Sequence, residues 1–524
     1  MSNKITIYDT TLRDGNQAAG VGLSLSDKLK IAEKLSDFGV DYIEGGWPNP
    51  TNQIDTAFYK EIKKFNIKSK IAAFGSTKRP KTNIDEDPFI GDLVAADTGI
   101  CTIYGKSWKL HATEIIRCTP QENLDMIYES VEYLLQYKDE VIFDAEHFFD
   151  GYKDDPEYAI KALKAAKEAG ASYLVLCDTN GGLLPNEFIR IFENVKSKID
   201  ANLGVHLHND SGCAEANSII GIEMGATQVQ GTINGIGERC GNANLCTIIP
   251  AVQLKLGKIV IPEENMKKLR ELSISVSEIA NLSPNVSAPF VGDNAFTHKA
   301  GAHADGVRKN SVSFEHISPE VVGNSRRLLV SDQSGRGAIL EFLKRILNKE
   351  IDKNDEIVNS VLKKVKEMEA RGYHFEMAQG TLELLVRKEM NAFVAPFETK
   401  SFRVIEDKNG GNPVSEATIK IFDNETKKEI HTAANGDGPV NALYNALMKA
   451  VGELYPSIAK VNLKDFKVRV LEGSQGTEAF VRVLIESTDG TDSWGTIGVS
   501  TNIIEASWNA LLDSVYYKLM KDKI

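Results

Sequence analysis

The run LGVHLHND at residues 203–210 is strand-like, and the period of two along a strand points His206 and His208 to the same face. Both imidazoles can then reach one cation. Read alone, such a pair is equally a pair of satisfied polar groups near a strand end, so its meaning depends on the architecture around it. Upstream and downstream, residues 5 to 260 alternate short β-rich runs with longer stretches of helical period. The strands are ITIYD, VDYIEGG, KIAAFGS, ICTIYG, EVIFDAEH, SYLVLCDT, LGVHLHND and QVQGTING. Helical runs between them include SDKLKIAEKLSDFG, ENLDMIYESVEYLLQYK, PEYAIKALKAAKEAG and NEFIRIFENVKSKI, with acids or Asn near several starts and Gly closing two of them. Eight such units in about 250 residues predict a (β/α)8 TIM barrel. The competing topology, an open doubly wound sheet, lacks its phosphate loop: no strand is followed by GxGxxG, and the glycines of TINGIGERCGN have the wrong spacing.

The rest of the chain divides by pattern. From 261 to 400 the alternation stops and polar helices take over, as in PEENMKKLRELSISVSEIANL and KNDEIVNSVLKKVKEMEA, interrupted by the loop FVGDNAFTHKAGAHADGV. Residues 401–524 return to strands and contain a two-fold echo. FRVIED, EATIKIFD and KEIHTAA precede GDGPVNALYNALMKAV; FKVRVLEG, EAFVRVLIES and SWGTIGVS precede NIIEASWNALLDSVYYKL. Each half reads as three strands and a helix. The expected organisation is a catalytic barrel at 1–260, helical linker subdomains at 261–400 and an α+β regulatory and dimerisation domain at 401–524. Duplicated units of this kind suit binding of a small effector or of a second copy.

Composition removes several classes of function. Of the 524 residues 42% are hydrophobic and 26% charged, ordinary globular values. The net charge of −12 argues against gripping phosphate backbones, so nucleic acid is not expected as a partner. The six cysteines form no CxxC pair and read as reduced thiols. With no signal-peptide pattern and no uncharged apolar run near the length of a bilayer, no membrane is expected and a cytoplasmic location is.

If the sheet closes, strands seven, eight and one become neighbours. Asp14, in YDTTLRDGNQ after the first strand, and Asn242, in GERCGNANL after the eighth, then meet His206 and His208 at the mouth. Nitrogen and oxygen ligands without thiolate suit a divalent Mg2+, Mn2+, Co2+ or Zn2+ with positions left for substrate oxygens. Such an ion polarises a 2-oxo acid toward a nucleophile. Arg13 is placed to stabilise charge developing on an oxygen. Glu44, Glu146, Thr179 and Glu238 sit at other strand ends and are candidates to hold substrate or move protons, though singly each also reads as a solvated or ion-paired group. His298 and His303 lie beyond the barrel between glycine-bearing turns; a surface histidine is common there, yet a base of near-neutral pKa is also what removing a carbon-bound proton requires.

YDTTLRDGNQ, HLHND, NGIGERCGNANL and HKAGAHADG together resemble the isopropylmalate, homocitrate and citramalate synthases, in an order that covers nearly the whole chain. AEHFFDGYK and IEGGWPNP are most similar to the longer citramalate synthases. The resemblance implies a Claisen-type condensation of acetyl-CoA with pyruvate, followed by thioester hydrolysis, giving (R)-citramalate and CoA for isoleucine biosynthesis. It implies Asp14, His206 and His208 as metal ligands with Asn242 as fourth or outer contact, Arg13 as charge stabiliser, Glu44, Glu146 and Thr179 at the substrate, and His303 as base assisted by Glu238. It also implies a homodimer whose partner supplies that histidine, and feedback by isoleucine through the last 125 or so residues. Two departures stand out: Asn16 replaces a Glu found in many relatives, and AEHFFDGYK replaces the Glu-Asp-Ala-x-Arg of isopropylmalate synthases. The alternatives are another 2-oxo acid, cleavage by a lyase with Cys240 as its thiol, or a non-catalytic effector-binding protein.

Overall fold

The computed structural model describes residues 3–298, 303, 306–307, 309–328, 336–347, 351–352, 355–408, 414–471 and 479–523. The chain divides into two compact units, one of Met1–Phe296 with Ile317–Arg326, the other of Thr297–His316 with Arg327–Ile524.

The first unit is the expected barrel. Strands β1 (Thr6–Asp9), β2 (Tyr42–Gly46), β3 (Lys70–Ser76), β4 (Ile100–Lys106), β5 (Glu140–Glu146), β6 (Tyr173–Asp178), β7 (Leu203–Leu207) and β8 (Gln228–Gly231) form one closed sheet in chain order. All pairs are parallel, and the ring shuts where Thr6 aligns with Gln228 and Asp9 with Gly231. Each strand splits its side chains between two environments. Ile7, Ile43, Ile103, Phe143, Leu174, Val205 and Val229 belong to the apolar core shared with the helices. The alternate positions face inward, where a small apolar layer of Tyr8, Tyr42, Ala72, Ile100, Ile142, Val175 and Cys177 lies among polar side chains.

Local chemistry explains the helices. Ser24 and Asp27 make a capping box at the start of Leu25–Phe38, and Gly39 closes that helix at φ 99°, a conformation without a Cβ penalty. Proline opens Pro120–Leu134, Pro156–Glu168 and Pro185–Lys198, where its missing N–H costs nothing. Among the elements not named from sequence are a short π-helical turn at His111–Ile115 and the helix Phe148–Asp154, which follows β5 at once.

In the second unit Thr297–His298 (β9) pairs in parallel with Arg327–Leu328 (β10). Helices Arg336–Leu347, Glu356–Ala370 and Gln379–Glu389 share a core around Leu343, Val361, Val365 and Val386. The two-fold echo is structural. Strands β11 (Phe397–Asp407), β12 (Val414–Asp423) and β13 (Glu429–Gly436) form an antiparallel sheet followed by helix Pro439–Gly452. Strands β14 (Asn462–Val470), β15 (Val481–Thr488) and β16 (Ser493–Ser500) repeat the arrangement before helix Ile503–Lys521. Even the irregularities match, with register shifts at Thr399/Ser401 and Leu463/Asp465 in the first strand of each half. One apolar core containing Ile419, Leu447, Ile485 and Leu511 joins the halves.

Candidate active site and metal centre

Closure brings the chemistry of distant segments to the carboxyl ends of the strands. Beyond β1, the Asp9 carboxylate accepts the Thr11 N–H and hydroxyl, both at 2.9 Å, and Thr11 Oγ1 accepts the Ile233 N–H at 2.9 Å from the loop after β8. This seam fixes the turn that carries Arg13 and Asp14. Asp14 Oδ2 lies 3.2 Å from His206 Nε2 and accepts the Asn242 amide N–H at 3.2 Å. His208 is the inward neighbour two positions along from His206, its ring centre 5.5 Å away, and its backbone bridges Asn242. One ligand atom from each of Asp14, His206 and His208 falls within 4.8 Å of the others, and all three residues are buried.

The electrostatics suit a cation. Burial works to raise the Asp14 carboxyl, but the Arg13 guanidinium, then the His206 hydrogen bond, outweigh it and hold it well below the usual carboxylate range. Burial, then repulsion from His206, pushes His208 down to about 4, leaving a neutral imidazole with a lone pair. Within this cluster, among the described residues, two buried polar atoms have no hydrogen-bond partner: His208 Nδ1 and Asn242 Oδ1. An orphaned imidazole nitrogen, an orphaned amide oxygen and an ionised carboxylate in one buried cluster form a donor set that fits a divalent ion. Space around Asn242 is tight: a Cβ on Gly237 would stand 1.9 Å from Asn242 Oδ1.

Arg13 links this cluster to the next. Its Nη1 donates to Asp14, its Nε donates to Glu44 Oε1 at 2.5 Å, and its guanidinium lies 3.8 Å over the Phe74 ring. Glu44 is fully buried and also accepts the Tyr8 hydroxyl at 2.7 Å. Burial pushes the Glu44 carboxyl up, with Arg13 opposing. Phe74 stacks on Tyr104 at 5.6 Å, so an aromatic wall stands beside the guanidinium.

The remaining sequence candidates lie around this centre or outside it. Glu146 is half-buried at the end of β5 and pairs with Lys106. Thr179 Oγ1 accepts the His147 N–H at 2.9 Å, which leaves the hydroxyl proton for another acceptor. Glu238 is exposed, with Arg239 Nη1 at 3.4 Å, while Arg239 Nη2 donates to the Thr179 carbonyl at 2.6 Å and ties the loops after β6 and β8 together. Cys240 is exposed. His303 belongs to the second unit, exposed, its ring centre 4.5 Å from that of Phe314. His298 Nε2 stands 3.2 Å from Glu315 Oε1 in that unit. Asn16 Oδ1 accepts the Leu23 N–H at 2.8 Å, a loop-closing role.

Sequence reading missed Asp144 and Gln230. Both are buried inside the barrel, with Gln230 Nε2 donating to Asp144 Oδ1 at 3.0 Å and Gln230 Oε1 standing 2.8 Å from His206 Nδ1. Burial raises the Asp144 carboxyl to about 7, opposed by His206. The available signal was the period of two: Asp144 precedes Glu146 by two, and Gln230 shares a face with Gln228.

A closed parallel barrel with an Asp–His–His cluster and a buried arginine at its carboxyl mouth defines a TIM-barrel enzyme with a cation-type centre. Comparison with known proteins sharpens this. Residues 4–276 match the HMGL-like family, residues 290–373 the homocitrate synthase post-HMGL domain-like family and residues 376–519 the LeuA allosteric (dimerisation) domain. The chain is 53% identical over 527 residues to an (R)-citramalate synthase of Aquifex aeolicus, covering 100% of this chain and 99% of the relative. It is 50% identical over 522 residues to one of Geobacter sulfurreducens, covering 99% and 98%. Against a 2-isopropylmalate synthase of Methanocaldococcus jannaschii the identity is 32% over 527 residues, covering 99% and 95%. The chain belongs to the HMGL-like family, and within it to the citramalate synthases.

Proposed function

We propose that this protein condenses acetyl-CoA with pyruvate and water to give (R)-citramalate and CoA. The observation that carries the reading is the buried Asp14–His206–His208 cluster beside Arg13 at the barrel mouth. Asp14, His206 and His208 hold a divalent cation, with Asn242 as fourth or outer contact. When bound, that ion supplies Lewis-acid polarisation of a ketone.

The chain's own residues do the rest. Arg13, held by Glu44 and Asp14 and backed by Phe74, keeps a fixed positive charge where negative charge grows on the ketone oxygen. Thr179 donates its hydroxyl proton to the pyruvate carboxylate, and Glu146 and Glu44 shape the pocket around it. His303, assisted by Glu238, takes a proton from the acetyl methyl group; the resulting carbon nucleophile bonds to the ketone carbon, whose oxygen is protonated to a hydroxyl. Water then cleaves the thioester, releasing CoA thiol and the second carboxylate. His303 acts across a homodimer assembled through residues 401–524. Isoleucine is the effector that these residues bind, and isoleucine synthesis in the cytoplasm is where the product goes. The supports for this are the match to the LeuA dimerisation domain and the finding that, among the described residues, no helix is long and apolar enough to cross a membrane.

The test is thiol release from acetyl-CoA, measured with pyruvate, 2-oxoisovalerate and 2-oxoglutarate in parallel, with metal add-back after chelation. Turnover with pyruvate restored by a divalent ion is expected. Preference for either larger acid overturns the substrate, and turnover indifferent to chelation overturns the metal. Isoleucine titrated into the same assay should lower the rate in the full chain.

A further inference from the structure

His206 offers two ring nitrogens, and only one arrangement of its proton leaves a lone pair toward Asp14. We infer that Gln230 and Asp144 are positioning residues that lock His206 in its Nδ1–H form, so that Nε2 always faces the cation site. This rests on the metal reading above.

The geometry is a chain of three links. Gln230 Nε2 donates to Asp144 Oδ1 at 3.0 Å and to Gln228 Oε1 at 3.4 Å, so both acceptors hold the amide nitrogen on that side. The amide oxygen is thereby turned to His206 Nδ1, 2.8 Å away. An oxygen there accepts only from an N–H, which puts the imidazole proton on Nδ1. In the neutral ring Nε2 then keeps its lone pair and accepts from Asn242 Nδ2 at 3.3 Å; only the imidazolium carries a second proton on Nε2 toward Asp14 Oδ2, 3.2 Å away. A carboxamide alone cannot enforce this, because its two ends are nearly the same shape; turned over, it would donate to Nδ1 and drive the proton to Nε2. An ionised Asp144, favoured above about pH 7, removes that option, since a reversed Gln230 would set two acceptor oxygens against each other. All four of Gln228, Gln230, Asp144 and His206 are buried, so water does not substitute for a missing link. Strand register fixes the partners: β7 and β8 pair with His206 opposite Gln230.

Three variants of the full-length protein test this: Gln230→Met, Asp144→Asn and the double variant Asp144→Asn/Gln230→Glu. The double variant restores the pattern with the chemistry exchanged, since a carboxylate at 230 accepts from His206 and an amide at 144 donates to it. Two readouts are taken. In metal-free protein at alkaline pH, where the imidazolium favoured by Asp14 has lost a proton, imidazole nitrogen NMR reports the His206 tautomer. Mn2+ titration by electron paramagnetic resonance reports affinity. Wild type should show Nδ1–H; Gln230→Met should show a mixture and bind Mn2+ about 10- to 100-fold more weakly, as loss of an outer-shell partner typically does. Asp144→Asn should fall between, and the double variant should return toward wild type in both. A pure Nδ1–H form in Gln230→Met overturns the inference, as does a double variant no better than Asp144→Asn. Should Gln230→Met not fold, the contrast between Asp144→Asn and the double variant decides. A wild type that binds no Mn2+ yet keeps the tautomer would sink the metal reading while leaving the lock intact, so the two failures are distinguishable.

Discussion

The barrel mouth and the C-terminal repeat bury polar groups in opposite ways. At the mouth the buried polar side chains include a gathering of carboxylates, imidazoles and carboxamides: Asp14, Glu44, Asp144, His206, His208, Gln230 and Asn242. In β11–β16 and their two helices the buried polar side chains, among the described residues, are hydroxyls plus Asp423. That one carboxylate closes a turn, accepting the Thr426 N–H at 2.6 Å and the Tyr455 hydroxyl at 2.7 Å. A hydroxyl satisfied by a nearby carbonyl is inexpensive to bury; a set of ionisable groups is not, and it persists where partners or a cation offset desolvation. Polar burial by itself therefore does not mark a reactive site, whereas convergent ionisable burial does.

The comparison can be broken most directly at Asp14. Asp14→Ala should lower turnover by about 10^2- to 10^3-fold while circular dichroism shows the fold retained. Unchanged turnover would mean that the mouth cluster is only structural. The buried Lys28–Asp55 pair, which supports the end of β2 through the Gly45 carbonyl at 3.2 Å and the Trp47 N–H at 2.9 Å, gives the contrasting case of ionic burial without chemistry. Lys28→Met leaves Asp55 unpaired and should cost about 3–5 kcal/mol in urea unfolding.

Asp9 sharpens the pH side. Burial raises its carboxyl from 3.8 to about 7, with the Thr11 hydrogen bonds opposing, so the folded state binds the proton more tightly than the unfolded chain. The stability contribution is then fully present below pH 3.8 and is lost as pH rises toward 7. Relative to Asp9→Asn, wild type should lose up to about 4 kcal/mol across that window, measured by denaturant midpoints at successive pH values. In the C-terminal repeat, Ile485→Val removes one buried methylene and should cost about 0.5–1.5 kcal/mol with turnover intact. The exposed Lys464–Glu486 pair at 3.0 Å should matter least, with Lys464→Ala shifting stability by under about 1 kcal/mol and less still in high salt.

Much of this was legible in the chain, for identifiable reasons. The eight strands of the barrel stood out because the outward rows are apolar and several of the helices between them carry readable caps, such as Ser24 and Thr119. The repeat was legible because β12 and β15 alternate buried and open positions and each run of three strands is followed by one helix. His206 and His208 announced themselves by spacing two, and Asp14 and Asn242 by lying just past strand ends that closure makes adjacent. Gln230 and Asp144 did not, because an amide and a carboxylate within a strand look like solvent-facing residues until the interior is known to be polar. Phe148–Asp154 was hidden for a related reason: the strand EVIFDAEH runs straight up to it, and His147 at φ 54° makes the abrupt switch that no local pattern signals.

The seam between β1 and β8 also sets a timetable for synthesis. Thr6 finds its partner Gln228 only when the eighth strand has been made, so the opening strand can join β2 early but keeps its other edge unpaired until then. At about 5–20 residues per second that wait is roughly ten seconds or more. A chain stopped anywhere before the eighth strand would carry Asp14 without the Ile233 and Asn242 contacts that enclose it, so the mouth is completed only after the ring has shut.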